Sequence, residues 1–313
     1  MNAVQPLRRG GHDRYGARPY RLPAVLGGCL LLLTGPAPRA EMSPAKAAMN
    51  QPVAPFRIVG NVYYVGASDV TSYLIETPQG LILLDGGFAE TAPQIEKNIA
   101  ALGFKLSDVK ILLNGHAHPD HAGGLPTLQR DTGAALAAMA PEVKPLENSG
   151  RGTFYFGERP LYEPMKVHRV LSDGDKVELG GVSLTAHLTA GHTPGCTSWS
   201  MRVTDGGVSH DVVFVCQIAL PHDTPLVDNE TYPEIASDFR RTFAVLRSLP
   251  CDVFLAEHGS AYSLQDKLLR LKKGEPRNPF IDPAGYRQHV EQTELAFTDA
   301  LAAELRTHAG RDE

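Results

Sequence analysis

Apolar residues in this chain recur in two rhythms, a short one that fits strands and a longer one that fits helices. Val62-Tyr63-Tyr64-Val65, Thr71-Ser72-Tyr73-Leu74-Ile75 and Leu81-Ile82-Leu83-Leu84-Asp85 predict strands separated by Gly and Pro-Gln-Gly turns. Residues Glu90 to Leu102 carry helical periodicity, and Val109-Lys110-Ile111-Leu112-Leu113 is a short run apolar at four of five positions, a buried strand. A helix over Leu125 to Arg130, a strand near Ala134 to Ala138 and a helix opening at Pro141 follow. Two hairpins come next. Lys176 to Leu179 pairs with Val182 to Thr189 across Gly180-Gly181, and Ser198 to Val203 pairs with Val212 to Cys216 across Asp205-Gly206-Gly207. Pro233 to Leu249 is helical, Asp252 to Ala256 a strand, and Pro283 to His308 a long closing helix. Strands followed by helices, twice over, predict an α/β fold: a four-layer αβ/βα sandwich of two packed sheets with helices outside, built from two similar halves.

The chain has 313 residues, 42% of them apolar, with a net charge of −5. No block of basic residues marks a nucleic-acid surface, and none is expected to bind there. The first 40 residues stand apart. Arg8, Arg9, Arg14, Arg18 and Arg21 precede an apolar run from Leu22 to Thr34, and small residues follow around Pro36-Ala37-Pro38-Arg39-Ala40. The run is short for a bilayer and fits a signal peptide. Residues 1–40 are therefore expected to be a leader, 41–55 an Ala/Pro-rich linker and 56–313 the functional domain. Export to the periplasm follows, with no stable membrane association after leader removal. Leu26-Gly27-Gly28-Cys29 offers lipid anchoring at Cys29 as the alternative. Loss of the leader leaves Cys196, Cys216 and Cys251. Each is expected to be a buried thiol; pairing of Cys196 with Cys216 is the other option.

The chemistry concentrates in His116-Ala117-His118-Pro119-Asp120-His121, three imidazoles and one carboxylate within six residues. These are donors of the kind that bind zinc. A helix would put His118 opposite His116 and Asp120, and a strand would put His121 opposite the rest. A loop bending around two adjacent metals uses all four. Two further histidines leave the ends of apolar strands into Gly-containing loops, His192 in Ala190-Gly191-His192-Thr193-Pro194-Gly195 and His258 in Glu257-His258-Gly259.

The pattern His-x-His-x-Asp-His, then Gly-His-Thr-Pro-Gly, then a late histidine, resembles the metallo-β-lactamase fold superfamily. The finer likeness is to subclass B3 metallo-β-lactamases, carried by Leu-Leu-Asp-Gly-Gly (83–87), Asp-Phe-Arg-Arg-Thr-Phe (238–243), Leu-Pro-Cys-Asp (249–252) and Asn-Pro-Phe-Ile-Asp-Pro (278–283). The resemblance implies two zinc ions per chain, one held by His116, His118 and His192, the other by Asp120, His121 and His258. It implies a monomer that hydrolyses the amide bond of a small β-lactam antibiotic with a metal-bound hydroxide, which Asp120 orients. It places Asp85 behind a ligand imidazole and a Gly-rich aromatic loop over the cleft, whose Phe154, Tyr155, Phe156 and Tyr162 are candidates for contact with the substrate. Family members often carry carboxylate-binding serines where this chain reads Cys216-Gln217-Ile218-Ala219-Leu220-Pro221. Gln217 and Thr224 are the remaining candidates for that contact, this segment with Ile218 and Leu220 is expected to face the substrate, and Cys216 is a further candidate zinc ligand. The competing functions are a glyoxalase II-like thioesterase or a lactonase of the same fold, and a non-catalytic zinc-binding protein. The first two usually need a bridging aspartate at the end of a strand that here has Asp211 near its start.

Overall fold

A computed structural model describes residues 42–309 apart from 154 and 222; the expected leader lies outside the described residues. The first sheet contains β1 (Phe56–Val59), β2 (Val62–Tyr64), β3 (Tyr73–Thr77), β4 (Gly80–Leu84), β5 (Val109–Leu113), β6 (Ala135–Met139) and β7 (Val167–Leu171), in that spatial order. The second contains β8 (Lys176–Leu179), β9 (Val182–Leu188), β10 (Thr197–Asp205), β11 (Val208–Val215) and β12 (Val253–Ala256), ordered β12-β11-β10-β9-β8. The helices are α1 (Pro44–Met49), α2 (Ala92–Ala101), α3 (Pro119–Ala122), α4 (Leu125–Thr132), α5 (Ala140–Glu147), α6 (Ile235–Ser248), α7 (Leu264–Lys272) and α8 (Pro283–Ala309). The expected αβ/βα sandwich is the observed architecture, with seven strands in one sheet and five in the other.

Tyr64, Tyr73, Trp199 and Phe214 belong to the main core, where the rings of Tyr73 and Phe214 meet at 5.0 Å across the two sheets. A second cluster packs Leu83 and Leu112 of the first sheet against Ile95 and Ile99 of α2 and Leu128 of α4. On the other side Phe239 and Phe243 of α6 meet Phe297 of α8 at 5.3 and 5.7 Å, and Tyr286 of α8 meets Phe254 of β12 at 5.6 Å. Each such aromatic contributes roughly 1.5–3 kcal/mol by leaving water.

Three elements depart from the periodicity. The central residues of β7, His168-Arg169-Val170, are exposed, so no apolar alternation marks this edge strand. Strand β1 and helix α7 are likewise present where no element was expected. The segment expected as a linker is docked: α1 lies within it, the Thr91 hydroxyl donates to Asn50 Oδ1 at 2.7 Å, and Asn98 Nδ2 donates to the Val53 carbonyl at 3.0 Å.

The topology places chemistry at one edge. β4 and β5 are parallel, with Leu84 beside Leu113, and β11 and β12 are parallel, with Val215 beside Ala256. β9 runs antiparallel to β10, which runs antiparallel to β11. The C-terminal ends of β9, β11 and β12 thus point the same way. Cross-links join the two sheets at that edge. Thr71 N donates to the Glu257 carbonyl at 3.1 Å, the Tyr73 hydroxyl to the Ala256 carbonyl at 2.5 Å, and Thr197 N to the Gly115 carbonyl at 2.9 Å.

Candidate metal centre

The ligand loop leaves β5 and is shaped by Asp85. This residue has φ +61°, a conformation that aspartate tolerates better than most residues and that ends β4 one position before the predicted boundary. Its Oδ1 accepts from Gly115 N at 2.8 Å and from Asn114 Nδ2 at 3.2 Å. His118 is extended, with ψ 153°, and Pro119 then starts the single-turn helix α3 that carries Asp120 and His121. Extended backbone followed by a helical turn is how six residues turn four donors inward. The turn is locked from below, since Gly86 N donates to the His121 carbonyl at 2.8 Å. A Cβ on Gly124 would sit 2.1 Å from the Gly86 carbonyl oxygen, so only glycine allows this approach.

The six predicted donors converge as two neighbouring groups. One consists of His116, His118 and His192, the other of Asp120, His121 and His258, and within each the donor atoms lie within 4.8 Å of one another. His118 Nδ1 and His192 Nε2 face each other at 3.1 Å. Asp120 Oδ2 lies 3.4 Å from His121 Nε2 and 3.5 Å from His258 Nε2. Outer partners fix three of the rings. The Ala219 carbonyl accepts from His192 Nδ1 at 2.9 Å, Asp69 Oδ2 lies 3.1 Å from His258 Nδ1, and Glu257 lies 3.1 Å from His116 Nδ1. A carbonyl oxygen only accepts, so the Nδ1 of His192 carries the proton and its Nε2 offers a lone pair to the centre.

The donor set fits a cation. His116 Nε2 is buried and without a hydrogen-bond partner among the described residues. Burial holds His116 and His118 well below the usual histidine range and His192 down to about 3, so these three are neutral imidazoles, the form that binds metal. Asp120 is held well below the usual carboxylate range by the His121 charge, against the upward push of burial. His121 is also opposed by burial, yet the charges of Asp120 and Glu257 raise it to about 10. The carboxylates that hold a proton on His121 equally favour a metal cation at this spot. This cluster of buried side chains is able to coordinate one or two metal ions.

A model of the metallo-β-lactamase superfamily matches residues 65–258. The chain belongs to the metallo-β-lactamase superfamily. Among solved structures it resembles the FEZ-1 metallo-β-lactamase of Legionella gormanii, with 43% identity, a TM-score of 0.79 and coverage of 81% of this chain and 97% of that one. It resembles a Cronobacter sakazakii metallo-β-lactamase with 40% identity, a TM-score of 0.79 and 83% and 98% coverage. The subclass B3 enzyme BJP-1 of Bradyrhizobium japonicum is 38% identical, with a TM-score of 0.76 and 83% and 97% coverage. A probable metallo-hydrolase of Burkholderia pseudomallei is 32% identical over 121 residues, a match that spans 39% of each chain.

In this superfamily member the other predicted site residues divide. Phe156 stands edge-on to His118, with ring centres 5.0 Å apart, and Tyr155 lies 5.9 Å from the same ring. Tyr155 also lines a cavity of about 690 Å³ with Thr224, Asp228 and Thr231. Tyr162 sits elsewhere than expected: its hydroxyl donates to the Ala117 carbonyl at 2.7 Å, and its ring packs against the helix-side core, beneath the ligand loop. Gln217 is half-buried, and its backbone N donates to Glu257 Oε2 at 2.6 Å. Asp85 grips the backbone of the ligand loop and groups with His121 and Glu257. Phe154 lies outside the described residues.

Two expectations are corrected. Cys196 and Cys216 form a disulfide, so neither is a thiol and Cys216 has no thiolate to give a metal; Cys251 is free. Ile218 is 1% exposed and belongs to the main core, so the segment after β11 does not turn that side chain to the cleft.

Three carboxylates at the site escaped the sequence reading. Glu142 is buried on α5; its Oε2 accepts from Ala117 N at 2.8 Å, and its Oε1 from the Thr193 hydroxyl at 2.7 Å and Gly195 N at 2.8 Å. It clamps the loop of His116 and His118 to the loop of His192. Nothing in its helical context marks it. Asp69 and Glu257 hold the rings of His258 and His116, and only Glu257 carries a local signal, its place beside His258 at a strand end.

Proposed function

We propose that this protein hydrolyses the amide bond of β-lactam antibiotics with two zinc ions, one held by His116, His118 and His192 and the other by Asp120, His121 and His258. The supporting observation is the side-by-side convergence of these two groups at one sheet edge, in a chain 43% identical to a metallo-β-lactamase over 97% of that enzyme. Bound zinc supplies Lewis acidity toward a carbonyl oxygen and lowers the pKa of water. Asp120 has a side chain 23% exposed, against 6% for Glu257. Asp120 is the more exposed of these two carboxylates and, in this proposal, accepts a hydrogen bond from the attacking water. Attack on the lactam carbonyl breaks the C–N bond, and the nitrogen leaves with a proton taken from water. Phe156 and Tyr155 form an apolar wall beside His118 for the substrate's side chain. Replacing Phe156 by alanine is expected to raise KM by about 5- to 30-fold, from roughly 1–2 kcal/mol of lost apolar contact, with kcat little changed. Steady-state kinetics on two cephalosporins of different side chains checks this; an unchanged KM for both would remove Phe156 from the cleft.

A thioesterase or lactonase reading finds less support. Asp211 binds Arg202 at 2.9 Å midway along β11, away from its C-terminal end, and just past that end stands Cys216, locked in a disulfide. Assaying the purified protein on a chromogenic cephalosporin beside a thioester and a lactone separates the readings. Hydrolysis of the thioester or lactone without any β-lactam would sink the proposal.

Residues 1–40 are proposed to be an export leader. Among the described residues no helix is long and apolar enough to cross a membrane. N-terminal sequencing of protein from the native envelope should read a start between about Pro36 and Met42. Full-length protein confined to the cytosol would contradict export.

A further inference from the structure

We propose that Glu257 is the positioning residue of the first zinc site, holding His116 so that its Nε2 faces the metal; this rests on the two-zinc assignment above. The backbone of Glu257 is fixed from both sheets. Its N donates to the Val215 carbonyl at 3.2 Å, and its carbonyl accepts from Thr71 N at 3.1 Å. From that anchor the side chain runs inward and is 6% exposed. Both carboxylate oxygens lie 3.1 Å from His116 Nδ1, and Oε2 also accepts from Gln217 N at 2.6 Å. A carboxylate has only acceptors, so it selects the tautomer with the proton on Nδ1 and leaves Nε2 free for a cation. The next residue, His258, sends its own Nδ1 to Asp69 and its Nε2 toward Asp120. Adjacent residues on extended backbone point to opposite sides. One dipeptide at the end of β12 thereby serves both groups, Glu257 behind the first and His258 within the second.

A second feature is matched to this role. Gly115, immediately before His116, has no side chain at the place the carboxylate occupies. A Cβ there would lie 1.8 Å from Glu257 Oε1. The ligand loop is cut away to admit this one group. Glutamine has the same shape but a single acceptor oxygen. It leaves either His116 Nδ1–H or Gln217 N–H facing an amide NH₂, or turns the His116 tautomer over.

The test is zinc binding by chelator competition, with the visible spectrum of the cobalt-substituted protein as a second readout. Wild type, Glu257→Gln, Gly115→Ala and the double variant are compared, and circular dichroism establishes that each is folded. Glu257→Gln is expected to weaken the first site by about 10- to 100-fold, to leave the second within about threefold, and to alter the cobalt bands. Gly115→Ala should produce the same selective loss by displacing the carboxylate, and the double variant should be no worse than the more affected single one. Equal weakening of both sites would mark Glu257 as a general structural residue. Unchanged affinities and cobalt bands in Glu257→Gln would overturn the assignment outright. A wild type that binds two zinc ions but cleaves no β-lactam would overturn the substrate reading while leaving the role of Glu257 standing. A wild type that binds no zinc would overturn both.

Discussion

Replacing His118 or His192 by alanine is expected to reduce β-lactam hydrolysis by more than about 100-fold, beyond the roughly 10- to 100-fold that loss of an outer hydrogen-bonding partner costs a metal site. The two rings face each other at 3.1 Å, and His192 is held from behind by the Ala219 carbonyl. Either substitution leaves two imidazoles where three converge. Water admitted to the gap satisfies the remaining donors but does not reproduce a three-imidazole site with one open position. The check is kcat/KM on a chromogenic cephalosporin, with zinc counted per chain. The variants should lose zinc from one site while the other group keeps its metal. A variant retaining a tenth of the wild-type kcat/KM would show that this group is not where catalysis occurs.

Asp120→Asn separates binding from chemistry. The amide retains an oxygen that coordinates weakly and keeps the shape of the turn in α3. It lacks the charge that His121 and His258 share and the strong acceptor proposed for the attacking water. Loss of kcat by about 100-fold or more is expected, in the range of a positioned proton acceptor. Bound zinc should fall much less, by under one ion per chain. Metal analysis and kinetics on the same preparation read this directly. Parallel loss of zinc and activity would reduce Asp120 to a ligand alone.

The six converging donors were legible because the motif is local and dense. Four of six donors lie in one stretch of sequence, and the other two each follow a buried strand into a glycine loop, so the pattern survives without knowledge of the fold. The groups behind these donors were not legible, because contact between distant segments decides them. Glu142 reaches Ala117 across 25 positions, and Glu257 reaches His116 across 141. The disulfide belongs between these cases. The hairpin of β10 and β11 aligns Trp199 with Phe214, which carries Cys196 and Cys216 to its open end, so register decides the pairing and composition does not. Ile218 was misplaced for a related reason. The strand expected to end at Cys216 ends at Val215, and apolar residues just beyond a strand end face core or cleft according to a turn that periodicity does not encode. The exposed edge strand β7 has no apolar alternation to read.

Zinc-dependent β-lactam hydrolysis at the paired histidine groups is tested by stripping the protein with chelator and returning zinc stepwise. Bound metal and the hydrolysis of a chromogenic cephalosporin are followed on the same samples. Negligible turnover in the stripped protein, recovery as zinc returns, and a plateau of bound metal at two ions per chain are expected. Full zinc loading with no cephalosporin turnover, or turnover that persists undiminished in the stripped protein, would contradict the proposal.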